Sequence, residues 1–197
     1  MEKVILIHGM ACYLDECFGK GVKASLDNAK IPYYEPQFEF HPNISYKKWC
    51  ESMQDYRQYI DDDTIFVCHS LGTNFIIKYL AEQKLTCKAV IAVAGGVVSS
   101  KLEMPQKLAY LYEFCPTDKE FKYCQKAVPF RYNIFNKEDH IWTMQQLKRY
   151  ADKLKAKPVE LEYGGHFGRS SGVKDLPIIS KIIAEDLCVK NEQNVHI

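Results

Sequence analysis

The sequence has 197 residues, of which 47% are hydrophobic, enough for a sizeable core in one domain. Its 26 Lys and Arg residues nearly balance 25 Asp and Glu residues, which leaves a net charge of +1. This balance argues against the broad basic surface of a nucleic-acid-binding protein. We predict one domain over residues 1–188, followed by a polar tail over residues 189–197.

The hydropathy of the sequence favours a cytoplasmic location. The apolar run at Val4–Ile7 is too short for a secretory signal, and no later run approaches transmembrane length. We therefore expect a protein without a membrane span.

The eight cysteines are scattered and lack the paired C-x-x-C spacing that is typical of zinc sites. We predict that most of them are reduced core residues and that the protein holds no metal or other cofactor. Cys12 and Cys17 differ because they flank a loop that we expect to open onto the functional site. A disulfide or redox role is the alternative for this pair, although a reducing compartment disfavours it.

Strand and helix patterns alternate along the chain. Strand patterns cover Lys3–Ile7, Thr64–Val67, Ala89–Ala94, Tyr132–Phe135 and Val159–Tyr163, with a further extended segment at Ile31–Tyr34; the first and third of the five are of the fully buried kind. Helical spacing covers Cys17–Ala29, a helix that Ser45 caps and Asp61 ends, Phe75–Leu80, Trp142–Leu154 and Leu176–Leu187. This order predicts a mainly parallel sheet with helices on both faces, a three-layer α/β/α sandwich.

A candidate nucleophile lies where one predicted strand meets a helix. Residues 68–72 have the sequence C-H-S-L-G, which matches four of the five positions of G-x-S-x-G. That motif lifts a serine above the sheet on a sharp turn, and small neighbours leave room for the turn. Gly72 keeps this clearance, whereas Cys68 is larger than the pattern expects. The alternative is that Ser70 merely caps the helix.

A second element of this site is predicted after the first strand, which runs into His8-Gly9-Met10. In hydrolases of this architecture, the N–H after such a glycine and the N–H after the nucleophile hold the developing oxyanion. Those groups would be the backbone N–H groups of Met10 and Leu71. An ordinary loop start is the alternative for His8-Gly9.

A serine nucleophile needs a base, and the base needs an acid to orient it. Asp139 and His166 each follow a predicted strand, and the order Ser, Asp, His is the one used in α/β-hydrolases. Glu138 is the fallback for the acid, and Asp118 is a weaker competitor.

His166 is the preferred base because it lies in the flexible sequence G-G-H-F-G. The other histidines have less suitable positions: His8 starts the oxyanion loop, His69 is expected to point away from the site, His140 adjoins the acid, and His41 and His196 lie in irregular or terminal segments.

The His-Gly loop, the C-H-S-L-G elbow, the strand–Asp segment and the G-G-H-F-G motif together resemble the small serine hydrolases similar to retinoblastoma-binding protein nine. These form a compact branch of the α/β-hydrolase superfamily. The resemblance extends from Val4 to about Leu187 and implies that Ser70 is the nucleophile, Asp139 the acid and His166 the base. Two departures, Cys68 and a long stretch after the third buried strand, bear on substrate scope more than on catalysis.

That long stretch, residues 97–128, interrupts the alternation and is predicted to be an insertion. Hydrolases commonly build a cap over the pocket at this point, and we assign the cap to Met104–Cys124. Its aromatic residues Tyr110, Tyr112 and Phe114 are the predicted substrate contacts and favour an apolar acyl or alcohol group. A surface connection is the alternative.

These features predict a metal-independent serine hydrolase that cleaves an ester, thioester or amide of a small-molecule acyl substrate, most plausibly an ester of a short to medium carboxylic acid. Two alternatives stay open. One is a binding or scaffold protein on a hydrolase fold, because fold does not fix function. The other is acyl transfer to an acceptor other than water. The sequence does not predict the oligomeric state.

Overall fold

The computed structural model describes residues 1–40 and 44–187, so His41, His196 and the predicted tail lie outside the described residues. Six parallel strands form one sheet in the order β2-β1-β3-β4-β5-β6. The strands are β1 (Lys3–Ile7), β2 (Tyr33–Tyr34), β3 (Thr64–His69), β4 (Ala89–Val93), β5 (Phe130–Asn136) and β6 (Lys157–Leu161). The helices are α1 (Gly19–Asn28), α2 (Tyr46–Ser52), α3 (Leu71–Gln83), α4 (Asp118–Ala127), α5 (Met144–Leu154) and α6 (Pro177–Lys181).

Alternate side chains of the strands enter two separate cores, one on each face of the sheet. Val4 of β1 packs with Leu26 of α1 and Ile179 of α6. Its neighbour Ile5 belongs to the opposite core, which also contains Phe75 of α3. This division follows from the two-residue period of a strand. The predicted α/β/α sandwich is confirmed, and burial on both faces explains why the central strands β1, β3 and β4 are almost continuously apolar.

Several predicted element boundaries shift for local reasons. The helix capped by Ser45 is α-helical only to Ser52 and continues as a 3-10 helix over Gln54–Tyr59. Trp142 precedes α5, because Thr143 and Gln146 form a capping box that starts the helix at Met144. The last predicted helix begins as α6 and ends as a π-helical segment over Ile182–Leu187. In the part of the chain that is described, no helix has the length and apolar character needed to cross a membrane.

The predicted insertion contains two different kinds of structure. Two 3-10 helices, Lys101–Glu103 and Gln106–Phe114, follow β4. The next element, α4, is an ordinary crossover helix between β4 and β5 that packs on α3 and α5, with Phe121 and Cys124 buried. The C-terminal part of the segment predicted as a cap therefore belongs to the core, and only residues 97–117 lie apart from the α/β repeat.

Candidate active site

Ser70 occupies a strained turn between β3 and α3. Its backbone has φ 52° and ψ −119°, in the region of positive φ that non-glycine residues rarely adopt. The Ser70 N–H donates to the Val93 carbonyl at 2.9 Å, and the Ser70 carbonyl accepts from the Thr73 N–H at 3.0 Å. A Cβ at Gly72 would lie 2.5 Å from the His8 carbonyl oxygen, so the tight approach of α3 to β1 requires glycine there.

Cys68, the departure from the elbow motif, fits because its side chain turns away from the turn and into the core. It is fully buried, and its partner in β4 is the small residue Ala92. The small neighbour leaves room for the thiol, so the elbow forms without glycine at this position.

The side chains of Ser70, His166 and Asp139 form one hydrogen-bonded chain. His166 Nδ1 lies 2.8 Å and 3.0 Å from the two carboxylate oxygens of Asp139, and its Nε2 lies 2.8 Å from Ser70 Oγ. Carboxylate oxygens only accept, so Nδ1 carries the proton and Nε2 accepts from the serine hydroxyl. Glu138 has no such contact with His166; its backbone N–H instead binds the Asn136 side chain at 2.8 Å.

The Asp139 carboxylate is fully buried and accepts hydrogen bonds from three residues. Besides His166, the backbone N–H groups of Ile141 and Trp142 donate to Oδ1 at 2.7 and 2.9 Å. Burial by itself opposes ionisation, but the bonds from His166, Trp142 and Ile141 outweigh it and hold the pKa of Asp139 below its usual value. A negative charge is therefore available to orient the imidazole.

Burial lowers the pKa of His166 below its usual value of 6.5, and the hydrogen bond to Asp139 offsets only part of this effect. The imidazole is therefore neutral near pH 7 and able to accept a proton. Its loop combines three residues of positive φ, Gly164, Gly165 and Phe167. Phe167 is fully buried and anchors the loop, and its N–H donates to the Gly164 carbonyl at 2.7 Å.

The sequence predicted that His69 points away from the site, but the structure places its ring beside the His166 loop, with the two ring centroids 5.3 Å apart. Its side chain is buried, and Nε2 lies 2.8 Å from the His166 carbonyl oxygen. Strand alternation is the signal that could have found it, because His69 ends β3 and must face opposite to the buried Cys68.

His8 supports the other side of the site. Its buried ring lies among aromatic side chains, including Phe38 and Trp49. Nε2 accepts from the Phe38 N–H at 3.1 Å, and Nδ1–H donates to the Gly9 carbonyl at 2.7 Å. Burial lowers the pKa of His8, which keeps the ring neutral. These bonds fix the start of the predicted oxyanion loop.

Met10 and Leu71 both line a cavity that contains Ser70. Leu71 is the first residue of α3, where backbone N–H groups lack acceptors within the helix. Among the hydrogen bonds of the described residues, none uses the Met10 N–H. The two predicted oxyanion donors thus lie beside the serine.

Two cavities meet at Ser70. The first, about 410 Å³, lies between residues 9–12 and residues 166–170. The second, about 390 Å³, extends beneath residues 97–117. Its walls are mainly apolar and include Met104, Pro105, Leu108, Leu111 and Trp142.

The aromatic residues that were predicted to contact substrate do not line this second cavity. Phe114 is fully buried against Trp49 in the core, whereas Tyr110 and Tyr112 are each 37% exposed. A 3-10 helix has three residues per turn, so Leu108, Leu111 and Phe114 share its inward face, and Tyr110 and Tyr112 fall outside it. Leu108 and Leu111 line the cavity, whereas Phe114, at the end of the helix, enters the core.

One group of side chains among the described residues has the chemistry of a metal site. The ligand atoms of Cys12, Cys17 and His69 lie within 4.8 Å of one another, and all three residues are buried. The hydrogen bond between the two thiols lowers the pKa of Cys12 and, together with burial, raises the pKa of Cys17.

The fold and the elbow define an α/β-hydrolase, and comparison with known proteins agrees. The Serine hydrolase family profile matches residues 37–185, most of the chain, so the protein belongs to that family and is a hydrolase. This confirms the superfamily predicted from the sequence motifs.

Individual relatives give the same picture. YdeN of Bacillus subtilis (strain 168), which carries a provisional hydrolase name, is 27% identical over 165 residues, covering 83% of this chain and 80% of YdeN. The crystal structure of the B. subtilis ydeN gene product superposes with a TM-score of 0.80 at 23% identity, covering 93% of this chain and 97% of that one. Mouse alpha/beta hydrolase domain-containing protein 10 has a TM-score of 0.68 at 12% identity, covering 94% and 89%. These structural matches establish the shared fold.

Proposed function

We propose that the protein cleaves a carboxylic ester through an acyl-enzyme intermediate, with Ser70 as nucleophile, His166 as base and Asp139 as the orienting acid. One observation carries the proposal. Two consecutive hydrogen bonds of 2.8 Å join Ser70 Oγ to His166 Nε2 and His166 Nδ1 to Asp139 Oδ2. A nucleophile, a base and a third group that fixes the tautomer of the base are the parts that acyl transfer to serine requires.

In the first half of the reaction, Ser70 Oγ attacks the substrate carbonyl while His166 Nε2 takes the hydroxyl proton. The backbone N–H groups of Met10 and Leu71 hold the resulting oxyanion, and losing one such donor costs about 3 kcal/mol in the barrier. The imidazolium then protonates the departing alcohol, which leaves Ser70 acylated. In the second half, His166 deprotonates a water that attacks the acyl group, and the carboxylic acid departs with Ser70 restored.

The second cavity suggests what part of the substrate it would hold. Its volume is near the lower end of small-molecule sites, and its walls suit a compact apolar group. We infer that this cavity holds an apolar acyl or alcohol group of the substrate.

The proposal is tested by exposing the protein to an active-site-directed fluorophosphonate and measuring intact mass. We expect one adduct on the wild type, formed as the serine oxygen displaces fluoride from phosphorus. Ser70→Ala and His166→Ala should abolish the adduct. Ser25→Ala, on α1 and distant from the site, is the matched serine control and should label like the wild type.

Labelling that persisted in Ser70→Ala would reject the assigned nucleophile. No adduct on a wild-type protein with a cooperative thermal transition would favour the binding-protein alternative instead. After positive labelling, ester and thioester libraries with apolar groups of increasing size would test the substrate inference. Competition between water and added alcohols would then separate hydrolysis from acyl transfer.

A further inference from the structure

A buried cluster of two thiols and one imidazole lies behind the candidate active site, and the proposed reaction uses none of them. Cys12 and Cys17 flank the loop after β1, and His69 is the residue before Ser70. The two Sγ atoms and one ring nitrogen of His69 lie within 4.8 Å of one another. The three residues are 7%, 1% and 2% exposed, so the cluster is closed to most of the surrounding solvent.

Nδ1 is the ring nitrogen of His69 that is free to bind a metal ion. Nε2 faces the His166 carbonyl oxygen at 2.8 Å and must carry the proton, because a carbonyl oxygen only accepts. Nδ1 is therefore unprotonated, and it has no hydrogen-bond partner among the described residues. A buried, unpaired polar atom is costly, and in native structures it calls for a specific explanation.

We propose that Cys12, Cys17 and His69 form a binding site for one thiophilic divalent metal ion of the zinc type. Thiolate and imidazole are the ligands that Zn²⁺ prefers, and a ligating histidine commonly donates its other N–H to a backbone carbonyl, as His69 does. Two thiolates and a neutral imidazole also cancel the charge of a divalent ion. This neutrality suits a buried site, where an uncompensated charge is expensive.

The geometry requires only small side-chain movements. Zn–S bonds of about 2.3 Å and Zn–N bonds of about 2 Å place ligand atoms roughly 3.5–4 Å apart, slightly closer than the limit observed here. Cys17 Sγ would give up a weak contact of 3.7 Å with the Tyr13 carbonyl. The first cavity, which includes Cys12 and His69 in its wall, would admit water to the remaining coordination position.

Metal binding would also affect the candidate active site, through the contact of His69 with the His166 loop. An ion at Nδ1 fixes the ring, and the ring in turn holds the His166 carbonyl through Nε2–H. The site would therefore stabilise the loop that presents the proposed base. The proposed metal site can be tested independently of the proposed hydrolysis, because metal binding is measured without substrate.

The test is a titration of the reduced, full-length protein with Cd²⁺ and Zn²⁺. Cd²⁺ bound to thiolates has charge-transfer absorption, and Zn²⁺ is followed by competition and by the metal content after gel filtration. We expect one ion per chain and an increase in Tm on binding. Cys12→Ser and Cys17→Ser should each weaken metal binding by more than about 100-fold. Even the loss of a residue that only hydrogen-bonds to a metal ligand lowers metal affinity by about 10- to 100-fold.

Cys50→Ser and Cys115→Ser are the matched controls, since both residues are free thiols outside the cluster. They should bind one ion with wild-type affinity. Equal binding by the Cys12→Ser/Cys17→Ser double variant and the wild type would overturn the proposal. A disulfide between Cys12 and Cys17 that reforms after every reduction would also overturn it. Such a protein would be isolated free of metal, with a mass lower by two hydrogens.

Discussion

The serine turn and the histidine loop hold Ser70 and His166, the proposed nucleophile and base, by different means. The backbone at Ser70 is fixed by a buried strand on one side and a helix on the other, with Gly72 allowing the two to approach. His166 follows β6 in a loop with three positive-φ residues and depends on buried Phe167 and on a hydrogen bond from His69. Secondary structure thus positions the proposed nucleophile, whereas contacts between distant segments position the proposed base.

The largest effect is expected where the two regions meet, at the hydrogen bond between Ser70 and His166. Ser70→Ala should lower kcat on an activated ester by about 10⁶-fold. When residues act as one catalytic unit, removing one of them removes most of the rate acceleration of the whole unit. The Ser70→Ala/His166→Ala double variant should be no slower than the single variant. Additive losses in steady-state kinetics would show that the two regions act independently.

The next effect concerns the acid that orients the base. Asp139→Asn should lower kcat by about 10⁴-fold, because the amide favours the wrong imidazole tautomer. Glu138→Gln is the neighbouring control and should retain wild-type activity, since its side chain makes no contact with His166 among the described hydrogen bonds. A loss at Glu138 with retention at Asp139 would reverse the assignment.

Two glycine substitutions test whether the serine turn is the more tightly packed region. Gly72→Ala should lower the free energy of unfolding by about 1–3 kcal/mol, because the new Cβ would meet the His8 carbonyl at 2.5 Å. Gly168→Ala, in the histidine loop, has no atom within 4 Å of the new Cβ and should unfold like the wild type. Urea denaturation measures both, and equal losses would remove the distinction between the regions.

The smallest effect is the pH dependence set by the histidine loop. Because burial lowers the pKa of His166, kcat/KM should be constant near neutral pH and should fall with an acid midpoint below 6.5. The folded protein disfavours the charged His166 ring, whereas the unfolded chain does not. The contribution of His166 to the free energy of unfolding is therefore complete above pH 6.5 and is lost as pH falls from 6.5 towards the folded-state pKa. An acid midpoint above 6.5 in a pH–rate profile would contradict this description.

The difference between the regions also explains how far sequence reasoning extends. The strand–helix junction at residues 64–83 was predicted because its apolar run, small turn residues and helical spacing are all local. The predicted substrate contacts were the aromatic residues Tyr110, Tyr112 and Phe114, but Leu108 and Leu111 are the residues of this helix that line the cavity. The exposure of the two tyrosines depends on 3-10 geometry, which local apolar patterns do not distinguish from an α-helix, and the burial of Phe114 depends on its contact with Trp49.

By itself, the sequence determined the alternating strands and helices, the strained serine turn, and the order in which a serine, a carboxylate and a histidine follow strand ends. Hydrophobic periodicity and turn chemistry encode these features within a few residues of one another. Only the tertiary structure decided that Asp139 rather than Glu138 contacts His166, and that Cys12 and Cys17 lie beside His69. Such contacts arise when the parallel sheet brings its carboxyl ends together, and no short-range pattern specifies their distances.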